Sequence, residues 1–288
     1  MKTCFECYPC FLRQAIEASR ATGADEATRQ RALIEVLDIL KAASRAESPP
    51  AIAGRVHRAV RAATGCDDPY RAGKERSARQ ALGLYGWMRG LVAAADDPLS
   101  MAVHLSVAGN IIDFALPREF DLKTETERVL TQSFHVNDLD ALRAELATGG
   151  PVLFLADNAG ETVYDRILIE VLKNPVRYAV KSGPVLNDAV HADAEAAGIE
   201  EIAEIVETGS DSPGTFLDEC SPAFLDLYRD APLVIAKGQA NFETLSHLGD
   251  PRLFFLLQTK CPIIARAIRV PCGTLILARG DRGETAPR

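Results

Sequence analysis

The chain changes texture at Gly149-Gly150, and that change limits its fold more than any other feature. Beyond it, short β-rich runs at 152–156, 176–180, 204–206, 233–236, 253–257 and 274–277 alternate with helical patterns at 161–173, 187–197, 215–228, 241–248 and 262–268. Such alternation predicts a mostly parallel, Rossmann-like sheet with helices on both faces, because parallel neighbours need a crossover between them. Before it, the patterns are helical. Leu33, Val36, Leu37 and Leu40 fall at i, i+3, i+4 and i+7, one stripe of a helix. Ser48 followed by Pro49 and Pro50 is a helix-start signal, continued by Ile52, Val56 and Val60. Further apolar sets fall at Leu82, Leu84, Trp87, Met88 and Leu91, and over 101–112, with no alternating strand pattern before residue 150. The expected class is α/β: an all-helical region of one or two subdomains over 1–148, an α/β domain over 149–280, and a flexible tail over 281–288.

Charge and cysteine usage narrow the partners. The chain of 288 residues carries a net charge of -8 with no long basic run, so binding to nucleic acid or anionic membrane is not its expected activity. The opening MKTCFECYPC lacks the apolar stretch of a secretory signal, and no segment reaches membrane-spanning length. A cytoplasmic protein is expected. Seven cysteines at uneven spacing make a poor disulfide framework. Cys4, Cys7 and Cys10 are spaced to line one helix edge, where thiolates can hold a structural soft metal. Without a second CxxC or a close His pair, reduced thiols at the start of the first helix are the simpler reading.

The polar residues gather at the expected strand ends. The run PVLFL stops on Asp157-Asn158, placing a carboxylate and an amide oxygen where a buried strand surfaces. The second strand ends in Lys181-Ser182-Gly183-Pro184 and leads to Asn187-Asp188; the fourth ends in Lys237-Gly238-Gln239, followed by Asn241 and Glu243. In a parallel sheet these ends share one edge. Acids and amides there suit a hard divalent cation, and the lysines with glycine-containing helix starts suit a phosphate. The competing structural reading is that Asp157, Asn158 and Asp188 only turn the chain and cap helices. No GxGxxG after a strand, no GxxxxGK[ST], no GxSxG and no HExxH is present, which removes the usual dinucleotide, P-loop, serine-hydrolase and zinc-protease signatures. The five histidines are scattered singly.

Several ordered motifs strengthen the phosphate reading. They are D-N-A-G-E at 157–161, K-S-G-P-V-L-N-D-A at 181–189 and K-G-Q-A-N-F-E at 237–243, with A-G-N-I-I-D-F at 108–114 and D-P-Y-R-A-G-K at 68–74. With them the chain resembles the metal-dependent damage-control phosphatases, whose domain is shared with proteins called acidic-residue-methyltransferase-like. The pair Cys7 and Cys10 is similar to the stand-alone microbial branch; Cys4 is an addition to that pattern. The resemblance implies one divalent cation (Mg²⁺, Mn²⁺, Co²⁺ or Ni²⁺) held by Asp157, Asn158 and Asp188, and hydrolysis of a small phosphorylated metabolite. Beside it, Lys237 and the Gly238 N–H are candidates for stabilising the transferring phosphoryl group, and Glu161 or Glu243 for orienting the attacking water. Lys181 and Asn241 are candidate substrate contacts, and Asn110 and Asp113 a candidate wall of the cleft. Two rival readings stand: carboxyl methyl transfer from S-adenosylmethionine, against which the absence of a glycine-rich loop after the first strand speaks, and non-catalytic binding of a metal or metabolite.

Overall fold

The computed structural model describes residues 1–111 and 121–282. At the N-terminus α1 (Cys7–Ala21), α2 (Glu26–Ala42) and α3 (Pro49–Thr64) pack around a core of their own. It is built from Phe11, Ala15 and Ala18 of α1, Val36 and Leu40 of α2, and Ile52, Val56 and Val60 of α3. Asp25 caps α2 by accepting from the Thr28 N–H at 2.7 Å, and α3 begins at Pro49 as its Ser-Pro-Pro start requires. The stripe on α2 is narrower than its spacing suggests. Ala32, Val36 and Leu40 are buried, but Leu37 faces solvent.

The next helices, α4 (Arg71–Ala94), α5 (Pro98–Ala108) and α6 (Leu122–Leu130), bury Met88, Leu105 and Val129 in a second core shared with the sheet. A strand then appears where none was expected, β1 (Phe134–Asn137). Only its Val136 is buried, and a four-residue edge strand with one inward residue carries no readable alternation. After α7 (Leu139–Leu146) the chain alternates: β2 (Val152–Leu155), α8 (Thr162–Val171), β3 (Val176–Val180), α9 (His191–Ala196), β4 (Glu204–Glu207), α10 (Pro222–Asp230), β5 (Leu233–Lys237), α11 (Gly238–Leu245), β6 (Leu253–Gln258), α12 (Pro262–Ile268) and β7 (Leu275–Arg279). The expected mixed α/β architecture is present. Two helices start later than their patterns suggested. Residues 187–190 are occupied by a loop that pairs with the end of β2, and α10 waits for Ser221, whose hydroxyl accepts from the Phe224 N–H at 3.2 Å, with Pro222 following.

The strands form one sheet in the order β1-β7-β6-β5-β2-β3-β4, parallel throughout except between β6 and β7. All four residues of β2 are buried, as an apolar run covered on both faces must be. Val152 and Phe154 join the core beneath α4, α5 and α8, while Leu153 and Leu155 join a third core beneath α10, α11 and α12. From β2 the crossovers run outward to β3 and β4; from β5 they run the other way to β6. Loops that diverge in this way leave a crevice at the carboxyl ends of β2 and β5, the switch point where open α/β sheets take ligands. Among the described residues no helix is long and apolar enough to cross a membrane. Gly280–Arg282 form a short turn in which Arg282 pairs with Asp138; residues 283–288, the rest of the expected tail, lie outside the described residues.

Candidate active site

Two backbone hydrogen bonds assemble the site. The Ala189 N–H donates to the Asp157 carbonyl and the Ala159 N–H to the Asn187 carbonyl, each at 2.8 Å, so Asn158 and Asp188 face one another as a bridge. Leu186 takes a left-handed backbone (φ 47°) to make the turn that delivers Asp188 there. The capping alternatives fail on geometry. Asn158 makes no side-chain cap bond, and α9 is capped by Asp193, which accepts from the Val190 N–H at 3.0 Å, rather than by Asp188.

Around the bridge lies a buried cluster of acids and amides. The Asn158 Nδ2 donates to Asp157 Oδ2 at 3.0 Å and to Glu161 Oε1. Asn110, reaching in from the end of α5, donates to the same two oxygens at 3.1 and 2.6 Å and accepts from the Gln258 N–H. Asn110 therefore belongs to the site itself and not only to its wall. Asp113 lies outside the described residues. Gly238, at φ 77°, turns β5 into α11 directly over Asp157, where any Cβ would collide with the carboxylate.

The carboxylates of this cluster are buried close to one another, with Lys237 on Glu161 and Lys181 3.9 Å from Asp188 as nearby cations. Burial, with repulsion from Glu161 and Asp188, pushes the Asp157 carboxyl well above the ordinary carboxylate range. Burial pushes Asp188 up to about 6, against the pull of Lys181 and Lys74. Asp188 Oδ2 is buried without a hydrogen-bond partner. A carboxylate oxygen in that state is costly unless a cation meets it. Two carboxylates and an amide oxygen are hard donors that fit a divalent ion of the Mg²⁺ or Mn²⁺ kind. Among the described residues no three Cys, His, Asp or Glu side chains are arranged to hold an ion, so the candidate set needs its asparagine.

Lys237 behaves unlike its sequence expectation. Its ammonium is fully buried and donates to the Ser106 carbonyl at 2.9 Å, to Glu161 Oε2 at 3.1 Å and to Asp165 Oδ1 at 2.5 Å. Three donors meet three acceptors, and none is left for a substrate. Burial alone would lower its pKa; Asp165 and Glu161 outweigh that and raise it, so the ammonium stays charged. Asn241 is likewise committed. Its amide donates to the Ala156 and Lys237 carbonyls, at 3.1 and 2.8 Å, and accepts from Thr215, tying β2 to β5. Lys181 is the second buried lysine of the site. It donates to the Gly214 carbonyl and stands 3.9 Å from Asp188 Oδ2, and burial pushes its pKa down.

Of the two candidate glutamates, the structure brings Glu161 into the cluster and not Glu243. Glu243 lines a separate cavity of about 880 Å³ with Met1, Phe216 and Leu248, where burial pushes it up to about 7. The thiols also stand apart. Cys10 accepts from Arg13 and Gln14, burial pushes Cys7 up, and among the described residues no disulfide joins the cysteines. Sequence reading passed over Asp165, Tyr178 and Ser106. Asp165 follows Glu161 by four residues, one helical turn, and that spacing was the available signal. Lys74, within the 68–74 motif, is buried and bridges Asp68 and Asp193 at 3.0 and 2.8 Å.

Known proteins are similar to this chain over nearly its whole length. A damage-control phosphatase of Pyrococcus horikoshii is 34% identical over 285 residues, covering 97% of this chain and 98% of that protein. A damage-control phosphatase of Archaeoglobus fulgidus is 31% identical, covering 94% and 96%. The crystal structure of a DUF89 family protein from Pyrococcus horikoshii superposes with a TM-score of 0.90 at 32% identity, covering 97% of this chain and 99% of that one. The Damage-control phosphatase ARMT1-like domain matches residues 3–276, and with a match of that extent the chain belongs to this family.

Proposed function

We propose that this protein hydrolyses the phosphate ester of a small phosphorylated metabolite, using one divalent cation held by Asp157, Asn158 and Asp188. The observation that carries the reading is the Asn158–Asp188 bridge at the β2/β5 crevice, with Asp188 Oδ2 buried and without a hydrogen-bond partner. The relatives named damage-control phosphatases support the reaction class. A divalent cation bound there supplies charge neutralisation for phosphoryl oxygens and a lowered pKa for water.

The chain's own residues do the rest. Asn110 and Asn158 hold the Asp157 and Glu161 carboxylates in one geometry through their Nδ2 groups, which leaves the Asn158 side-chain oxygen uncommitted by these bonds. Lys237 donates to Glu161 Oε2 from below, at 3.1 Å, and holds that carboxylate in place. Lys181, beside Asp188, is the buried cation available to a phosphoryl oxygen in place of Lys237. The α11 N-terminus, which only glycine at 238 lets approach so closely, adds backbone N–H groups of the right sign. Asp157, Asn158 and Asp188 are each less than a tenth exposed, which suits a compact ester and not a phosphoprotein. The test is release of inorganic phosphate from a panel of sugar phosphates and phosphorylated cofactor precursors. The wild type releases it from at least one and Asp157→Ala from none; equal release by both, or release by neither, contradicts the reading.

A further inference from the structure

Beneath the site runs a chain of buried polar contacts that the proposed reaction does not use directly. Tyr178, on β3, donates its hydroxyl to Asp165 Oδ2 at 2.9 Å. Ser106, on α5, donates to Asp165 Oδ1 at 2.8 Å. Asp165, on α8, accepts from Lys237 at 2.5 Å, and Lys237, at the end of β5, reaches Glu161 Oε2 at 3.1 Å. Glu161 Oε1 then meets the amides of Asn110 and Asn158. Asp165, Lys237 and Glu161 are completely buried, and Tyr178 and Ser106 with them.

The cost of this arrangement argues for a use. A buried ion pair is on balance no better for stability than a well-packed apolar pair, so its presence has to be explained otherwise. Here every link is saturated: the three Lys237 donors, both Asp165 oxygens and both Glu161 oxygens have partners, which gives each side chain one orientation. The last links touch Asn158 and Asn110, the two amides that also hold Asp157 at the crevice.

We infer that Asp165, anchored by Tyr178 and Ser106, is a positioning residue: through Lys237 it sets the orientation of Glu161 and hence of the Asn158 and Asn110 amides at the crevice. This rests on the proposed phosphatase reading for its consequence, and on the contact chain for its existence. It transfers the role expected of Lys237 from substrate contact to support.

The test uses two conservative variants that differ only in which partner they release. Tyr178→Phe removes the hydroxyl bound to Asp165. Tyr164→Phe, on the same helix as Asp165, removes a hydroxyl bound to Thr126 at 2.8 Å, outside the chain of contacts. Full-length protein loaded with Mn²⁺ is assayed on a phosphate ester that the wild type hydrolyses. Tyr178→Phe is expected to lower kcat about three- to tenfold with KM changed less than about twofold, while Tyr164→Phe stays near wild type. In a Lys237→Met background, Asp165→Asn should add no further loss, since it acts through the missing ammonium. Equal losses in the two tyrosine variants, or none in either, would overturn the inference. If the wild type hydrolyses no ester, the phosphatase reading fails, and Mn²⁺ affinity decides the positioning claim: weakening confined to Tyr178→Phe supports it and equal affinities overturn it. A wild type that neither turns over an ester nor binds Mn²⁺ would overturn both.

Discussion

Asp188 carries the sharpest consequence at the scale of single residues, because its environment is wrong for stability and right for a ligand. Its Oδ2 is buried with no hydrogen bond, only Lys181 at 3.9 Å, and burial pushes its carboxyl up to about 6. Asp188→Asn therefore relieves a buried charge and should hold or raise stability, by about 0.5–2 kcal/mol in urea unfolding. The same variant should lose divalent-cation affinity by at least about tenfold in titration calorimetry. A destabilised variant that still binds the ion would contradict this reading. Glu243 gives the opposite pairing. Its folded value of about 7 lies above the ordinary value of 4.5, so between them the folded state holds a proton that the unfolded state has lost. Stability from this group falls as pH rises through that window. Glu243→Gln should raise the melting temperature at pH 8, leave it nearly unchanged near pH 4.5, and keep wild-type turnover at both. Lost turnover would return Glu243 to the site.

At the scale of elements, α3 shows how a titratable group is carried in a core. His57 is buried among its apolar neighbours, and burial, reinforced by Arg61, pushes it down to about 4 from 6.5. As pH falls from about 6.5 to about 4 the unfolded chain takes up the proton and the folded one does not, so up to about 3 kcal/mol of stability is lost. Comparing urea unfolding at pH 7 and pH 5 should show a smaller drop in His57→Leu than in the wild type; equal drops would exclude His57 as the cause. Elements also decided what could be read from sequence. β2 was legible because a continuous apolar run ending in Asp157-Asn158 describes a central strand and its outlet at once. β1 was not, since an edge strand with a single buried residue has no period. Lys237 was legible as a strand-end residue, but its direction was not drawn out. It shares the face of Ile235 and Leu233, two and four residues back, and so points at α5 and α8, toward Ser106 and Asp165. Asp165 was marked only by its spacing, one helical turn after Glu161, because a polar residue within an amphipathic pattern does not itself show that its neighbours will bury it.

The whole molecule makes one site from parts far apart in the chain. Asn110 comes from the helical half, Asp157 and Glu161 from the β2 outlet, Asp188 from the β3 outlet and Gly238 from the β5 outlet. Their convergence follows from a parallel sheet whose crossovers diverge between β2 and β5. A cation joining the β2 and β3 outlets should stabilise the fold as well as serve the reaction, in proportion to the logarithm of its concentration over its Kd. Phosphate ester hydrolysis by chelator-stripped protein, titrated with Mn²⁺ and run beside Asp157→Ala, tests the central claim most directly. No turnover is expected without the ion, turnover that saturates with it in the wild type, and none at any concentration in Asp157→Ala. Turnover that persists in stripped protein, or that Asp157→Ala retains, would contradict it.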